Sequence, residues 1–514
     1  METKNVLKVL LLSTVIVLSS CKKDSSTPLD PVNPIGVADC NDVVDGIAAM
    51  DECGTCHQSY MYAGMGQMTY VATYADTIGL EGTFILAGSA TDIASNPYWI
   101  TTIETPTEFS FIADGFNTVS YGGQTARLDM ASEMMSAISS NGTTADALMG
   151  MFENSGSYFS DADLNASSKQ IKSKTAAYST SSVQMAIHAS FDSWFTDYAT
   201  NVAPIVGTTT MATAGSAGMA DNRELNAKGM EYDQIAAKSL IGALCLDQVV
   251  NGYLSEVKIG DAVDNVTRDP NEDNNATAME HHWDEGFGYV YGKFGPDNVN
   301  GDLGTDGLLG KYLNKYDDYK AIVFDAFKKG REAIVEECYE VRDNEARVIK
   351  ESLSLVIALK AESYLRDAAG SDDLSPDYFH ALSQAYGFIF SLQFTYTSNG
   401  TPYFSNAEVN SILAQLEAGN GFWDRTDAEL LQIADTIESL YSEDILINPI
   451  QTDSLDLTIN SSSSSTDTHV ACDEFTWNCD GSTYTASNNT ATHMFTTLNG
   501  CDSVVTLDLT INSS

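Results

Sequence analysis

From Gln124 to Tyr441 apolar residues recur at helical spacing, and no strand-like alternation interrupts them. A chain patterned this way buries its apolar stripes by packing helix on helix, so the expected fold class is mainly α, built as packed helical bundles. The pattern predicts helices over 124–151, 160–178, 183–202, 229–254, around Glu280, 308–342, 345–368, 376–394, 406–417 and 426–441. Pro376 follows Ser375, a favoured first-turn position behind a good N-cap.

One stretch of that run concentrates ligand chemistry. Residues 280–285 read Glu-His-His-Trp-Asp-Glu and hold two of the chain's seven histidines. On a helix, His282 lies three residues and His281 four residues before Glu285, so either can share a face with the carboxylate. Imidazole beside carboxylate suits a first-row transition metal better than Ca²⁺ or Mg²⁺, which prefer oxygen throughout. Gly286 and Gly288 would admit a closely packed neighbour or a ligand. The bland alternative is a buried polar cluster that fixes helix packing.

Two further segments contribute candidates. Glu231 and Asp247 share the 229–254 helix but lie about 24 Å apart along it, so they cannot serve one compact site, and Glu231 is the favoured one. His380, Gln384, Gly387 and Ser391 form a small polar stripe on an otherwise apolar helix, which lines a pocket or forms a satisfied network. Bundle cores build metal sites from inward Glu and His on facing helices, so His281, His282, Glu285, Glu231 and His380 form the candidate ligand set. Arg127 and Arg331 are scarce cations expected as buried ion-pair partners.

The chain carries Lys+Arg 26 against Asp+Glu 71, a formal net charge of −45. That balance excludes nucleic acid as a partner and leaves no broad basic face for anionic lipid. The N-terminus has Lys4 and Lys8 before an apolar stretch ending at Leu18, too short to span a membrane. Leu18-Ser19-Ser20-Cys21 resembles a bacterial lipobox, which implies lipidation of Cys21 and an exported protein held at the outer membrane, facing the periplasm or the cell surface.

Clustered cysteines in an exported chain favour disulfides, and Cys40, Cys53 and Cys56 are candidates at one end. Cys53-Gly54-Thr55-Cys56-His57 also fits c-type haem attachment, with Met61, Met65 or Met68 as an axial ligand. The Gly-, Thr- and Tyr-rich sequence that follows lacks helices to wrap a porphyrin, so a disulfide-stapled module is the stronger expectation. Cys245 and Cys338 lie alone in helical patterns and are expected as buried thiols. Near the end, the sequence of residues 455–462 recurs at 507–514, and Val505, Leu507, Leu509 and Ile511 alternate with polar residues as in a half-buried strand.

These features give an order of 1–20 signal peptide, 21–38 tether, 39–104 Cys-rich acidic module, 105–445 helical bundle, 446–465 linker with a repeat remnant, and 466–514 β module. The phrases TVSYGGQTARLDM at 118–130, KGMEYDQ at 228–234, MEHHWDEGFGY at 279–289, KGREAI at 329–334 and HALSQAYGF at 380–388 resemble a family of exported bacterial lipoproteins of undefined function. That family is distantly similar to the imelysin-like superfamily, which implies a two-bundle helical fold and a link to iron acquisition. The superfamily motif Gly-x-His-x-x-Glu is matched by His282 and Glu285, but Glu280 stands in place of glycine. The tail at 471–505 resembles a repeat of secreted adhesive proteins of gliding bacteria, which implies a Cys472–Cys501 disulfide.

Catalysis is not expected. The zinc-peptidase signature is absent, Gly286 stands where its inverse form needs histidine, and no nucleophile elbow or phosphate loop occurs. The expected function is capture of iron, another divalent transition metal or a metal chelate, with handover to an uptake-system protein. The alternative is a structural or adhesive surface lipoprotein.

Overall fold

The computed structural model describes residues 37–62, 68–88, 102–268, 275–295, 297–304, 308–372, 374–447, 464–472, 474–477, 482–496 and 502–512. The signal, the Cys21 lipidation site and most of the tether lie outside them. The chain divides into two units after Asn448.

The mainly α expectation is met. The first unit contains α1 (Gly122–Ala137), α2 (Ala145–Glu153), α3 (Ala162–Ala166), α4 (Ser181–Asp197), α5 (Tyr232–Leu240), α6 (Glu256–Ile259) and α7 (Ala278–Tyr291). It continues with α8 (Leu309–Leu313), α9 (Asp317–Val335), α10 (Tyr339–Ala369), α11 (Pro376–Ser391), α12 (Asn406–Leu416) and α13 (Asp427–Ile447). The long α10 is a spine against which α9, α11 and α13 pack, while α11 also lies on α5 and α12. A second group joins α7 to α1, α9 and the stretch after α5. That stretch is π-helical over Ile241–Leu246 and Gln248–Tyr253, and every residue from Leu240 to Val250 is buried. A helix apolar on all sides belongs inside a domain.

Four details differ from the sequence pattern. The helix expected over 124–151 breaks between α1 and α2, where Gly142 takes a positive φ of 79°. The stretch 160–178 holds only α3 and a short 3₁₀ turn, Lys172–Lys174. There Asn154 Nδ2 collects the carbonyls of Leu164, Ser167 and Lys169, an alternative to helical pairing. A small hairpin, Gly218–Ala220 with Arg223–Leu225, interrupts the helical run. The helix expected over 308–342 is split into α8, α9 and the first turn of α10, with Glu337 at φ 57° between the last two.

That split corrects the reading of Cys338. It is the N-cap of α10 rather than a thiol inside a helix, and it bonds to Cys53. Cys40 bonds to Cys56, so the disulfide expectation for Cys40, Cys53 and Cys56 is met with a partner the spacing did not suggest. Both thiols that haem attachment would need are therefore in disulfides. Cys245 is a buried free thiol, and burial pushes it up to about 12.

The N-terminal module is a small antiparallel sheet with Ser59–Tyr62 between Met68–Val71 and Thr83–Ile85. Its acidic residues organise turns: Asp51 accepts from the amides of Cys53 and Thr55 and from His57 Nε2. In the second unit, Ser464–Cys472 runs parallel to Asp502–Asn512, and Thr492–Thr496 runs antiparallel to it. Leu507 and Leu509 pack on Trp477 while Asp508 and Thr510 face out, which confirms the alternation. Cys501 lies outside the described residues, so its expected link to Cys472 does too.

Candidate functional site

The 280–285 segment is the first half of α7. Thr277 opens the helix with a capping box: its hydroxyl accepts from the Glu280 amide at 3.2 Å, and Glu280 accepts from the Thr277 amide at 2.8 Å. Glu280 does more than cap. Arg331 reaches it with NH1 at 3.0 Å, Arg268 with NH2 at 2.7 Å. Arg331 is fully buried and also donates to Asp284 and to Thr118, each at 3.0 Å. The expected ion-pair role of Arg331 is thus met. Arg127 differs: it donates to the carbonyls of Gln170 and Gly123. The acid that replaces the motif glycine is a hub of the core. Burial pushes Asp284 up to about 7 against the pull of Arg331, and its Oδ2 has no hydrogen-bond partner.

Other faces of α7 carry the histidines. Glu285 Oε1 accepts from Gln124 Nε2 on α1 at 2.9 Å and from the Tyr253 hydroxyl at 3.1 Å. Tyr253 in turn accepts from Lys174 Nζ at 3.3 Å. The close approach of α1 comes from Gly288, where a Cβ would sit 2.5 Å from Tyr121 Cβ. His281 Nε2 lies 3.8 Å from Glu285 Oε2, and both side chains are partly exposed. His282 is held by one residue at both nitrogens: Nδ1 at 2.7 Å from the Lys258 carbonyl, Nε2 at 3.3 Å from the Lys258 ammonium. The consistent tautomer donates from Nδ1 and accepts at Nε2. Burial, with the neighbouring ammonium, lowers its pKa and keeps the ring neutral.

The other two candidates meet elsewhere. His380 Nδ1 lies 2.6 Å from Glu231 Oε2, and its Nε2 lies 2.8 Å from Gln384 Nε2. Gln384 continues to Gln234, which accepts from Lys238. Arg223, on the hairpin the pattern missed, joins Glu231 to Asp377. Gly387 meets Lys238 Cβ, and Ser391 donates to the Lys238 carbonyl while accepting from the Gly242 amide. The polar stripe of α11 is therefore the satisfied seam between α11 and α5. Burial pushes Lys238 down to about 8.

The five candidates thus form two separate sets, with His281, His282 and Glu285 in one and Glu231 with His380 in the other. Among the described residues no group of three or more His, Cys, Asp or Glu side chains is arranged to hold a metal ion. The convergence of both sets on one centre is not met. His282 and His380 have both nitrogens engaged. His281 and Glu285 keep a separation that fits two donors to one metal, which needs facing ligand atoms roughly 3–4 Å apart. Sequence reasoning missed Gln124, Tyr253, Lys174 and Lys258, which arrive from three separate segments of the chain; only Gln124 stood in a quoted phrase.

A family model matches residues 106–443, a span that contains α1 to α12 and most of α13. The chain belongs to the family described as a domain of unknown function, DUF4856. Both α7 and the Glu231–His380 seam fall inside that domain, whereas the Cys40–Cys56 module and the β unit fall outside it. No curated protein and no solved structure matches the chain.

Proposed function

We propose that this member of the DUF4856 family is an exported lipoprotein, anchored through Cys21 at the outer membrane, that binds a transition metal presented as a chelate. The metal would meet His281 and Glu285, and the chelator would supply the remaining donors. The observation that carries this reading is the 3.8 Å separation of His281 Nε2 and Glu285 Oε2 at the partly exposed end of a polar network. Two protein donors do not close a metal site, which suits a ligand that brings its own. The likeness to the imelysin-like superfamily favours iron and an uptake-system partner. This reading takes the role as binding rather than catalysis.

The test is titration calorimetry with ferric citrate, alongside metal analysis of protein purified without chelator. His281→Ala and Glu285→Gln are expected to lose the metal-dependent part of binding, and His282→Ala, which removes a packing contact to Lys258, to retain most of it. Unchanged binding in both His281→Ala and Glu285→Gln would remove this site from consideration.

A further inference from the structure

Acidic residues outnumber basic ones 71 to 26 in this chain, so a lysine or arginine has a carboxylate close by almost anywhere. Most described cations take one: Lys172, Lys228, Lys293, Lys329, Arg331 and Arg366 all lie in ion pairs. Nine do not: five of them, Lys238, Lys311, Lys315, Lys350 and Lys360, lie over tyrosine rings, and the other four gather in one place. Arg127, Lys169, Lys174 and Lys258 surround the Tyr253–Glu285 pair, and among the described residues none of them has a carboxylate oxygen within 4.0 Å.

Their placement follows from contacts. Lys174 Nζ and Glu285 Oε1 meet at the Tyr253 hydroxyl, at 3.3 and 3.1 Å. The Lys258 ammonium stands over His282, whose ring centroid lies 6.5 Å from that of Tyr253. Arg127 NH1 and Lys169 Nζ both reach the space above Gly123, 3.4 and 3.5 Å from where its Cβ would be. Arg127, Lys258 and Lys169 each depress the pKa of Lys174, with burial the larger cause, so the four charges repel one another. All four are buried or half-buried. Holding unpaired ammonium and guanidinium groups together at partial burial is unfavourable unless an anion joins them.

A second unpaired group makes the contrast. Lys238, Lys315 and Lys360 rest on tyrosine rings, at 5.9 and 5.1 Å from Tyr312 and 5.1 Å from Tyr316. Ring faces supply those cations with partners. Around Tyr253 one such contact exists, Lys174 at 5.5 Å.

We infer that Arg127, Lys169, Lys174 and Lys258 form a binding site for a small multivalent oxyanion, a polycarboxylate or a phosphate. Ammonium groups on flexible stems act as point charges and suit either. Tyr253 and Gln124 hold Glu285 back toward α1, which leaves the cations to the ligand. The site borders the His281–Glu285 pair but does not depend on a metal, so it goes beyond the reading above and stands or falls apart from it.

The test is calorimetry of the full chain at low ionic strength with metal-free citrate and with inorganic phosphate. Wild-type protein is expected to bind at least one of them, with affinity falling as salt rises. Lys174→Ala with Lys258→Ala should weaken binding at least ten-fold. The remote Lys320→Ala should leave it within two-fold. Should the double variant melt at lower temperature than wild type, Lys169→Gln serves in its place, since it keeps most of the side chain over Gly123 and removes only the charge, and a several-fold loss is expected. No binding of either anion by natively folded wild-type protein overturns the inference. So does equal binding by wild type and the lysine variants. Anion binding that survives His281→Ala while ferric citrate gains nothing over citrate supports this inference and sinks the metal reading.

Discussion

Cys53 is bonded to Cys338, 285 residues further along the chain, with the two Cα atoms 4.6 Å apart. The bond fastens the N-terminal module to the N-cap of α10, the helix that carries α9, α11 and α13. Around it Ile103, Ala333 and Val341 form a small apolar cluster. A cross-link over so long a loop removes much entropy from the unfolded chain. Cys53→Ser is expected to cost about 2–5 kcal/mol. Limited proteolysis should then release the module, still closed by Cys40–Cys56, from an intact helical domain. Unchanged thermal stability together with unchanged protease resistance would contradict the tethering role.

Arg331 supports the next prediction. It is fully buried and holds Glu280, Asp284 and Thr118 at 3.0 Å each. Removing it leaves buried Asp284 without a cation, while Glu280 keeps Arg268, so Arg331→Met should destabilise the domain by about 3–5 kcal/mol. Asp284→Asn should cost far less. Its carbonyl still accepts from Arg331 Nε, and the substitution removes a charge that burial already disfavours. Urea titrations of the two variants at pH 7 compare them directly, and equal losses would show that Asp284 is needed as a charge.

Much of this architecture was legible because it rests on local pattern. The apolar period marked α10 and α11, Ser375-Pro376 marked a helix start, and i,i+4 spacing placed His281 beside Glu285. What failed depends on tertiary partners. Cys338 read as an interior helical thiol because nothing nearby announces the turn at Glu337. Glu280 looked like a lapse in a motif, whereas Arg268 and Arg331 make it a hub. Lys174 and Lys258 carried no signal, since their meaning comes from the tertiary contacts that bring one to Tyr253 and the other to His282.

Lys238 gives a pH-dependent prediction. Burial lowers its folded pKa from 10.5 to about 8. A cation whose folded pKa is depressed destabilises the fold most below about pH 8, where it is charged in both states. The penalty fades as pH rises from about 8 to 10.5. That shift corresponds to roughly 3 kcal/mol, reduced by roughly 0.5–1 kcal/mol for the lost contact to the Tyr312 ring. Lys238→Met should therefore raise the melting temperature at pH 7, with Gln234 still accepting from Gln384 at 3.1 Å. The advantage should narrow by pH 10. A gain that is the same at both pH values would show that packing, not charge, decides it.

Gly288 and Gly286 separate packing from flexibility on α7. A methyl group at Gly288 would lie 2.5 Å from Tyr121 Cβ and 3.0 Å from Gln124 Cβ, atoms fixed to the backbone at the start of α1. No rotamer change relieves that clash, so α1 must move away from α7. Gly288→Ala should cost about 1–3 kcal/mol. It should also lengthen the 2.9 Å contact from Gln124 to Glu285 and so disturb ligand binding. At Gly286 the same methyl meets nothing nearer than 3.5 Å, on Leu254 and Tyr253. There the better helix propensity of alanine should prevail, and Gly286→Ala should gain up to about 1 kcal/mol. Thermal melts of both variants decide the matter: an unperturbed Gly288→Ala would mean that α1 and α7 are not packed as closely as Gly288 requires, and a destabilised Gly286→Ala would mean that Leu254 and Tyr253 leave less room at α7 than 3.5 Å.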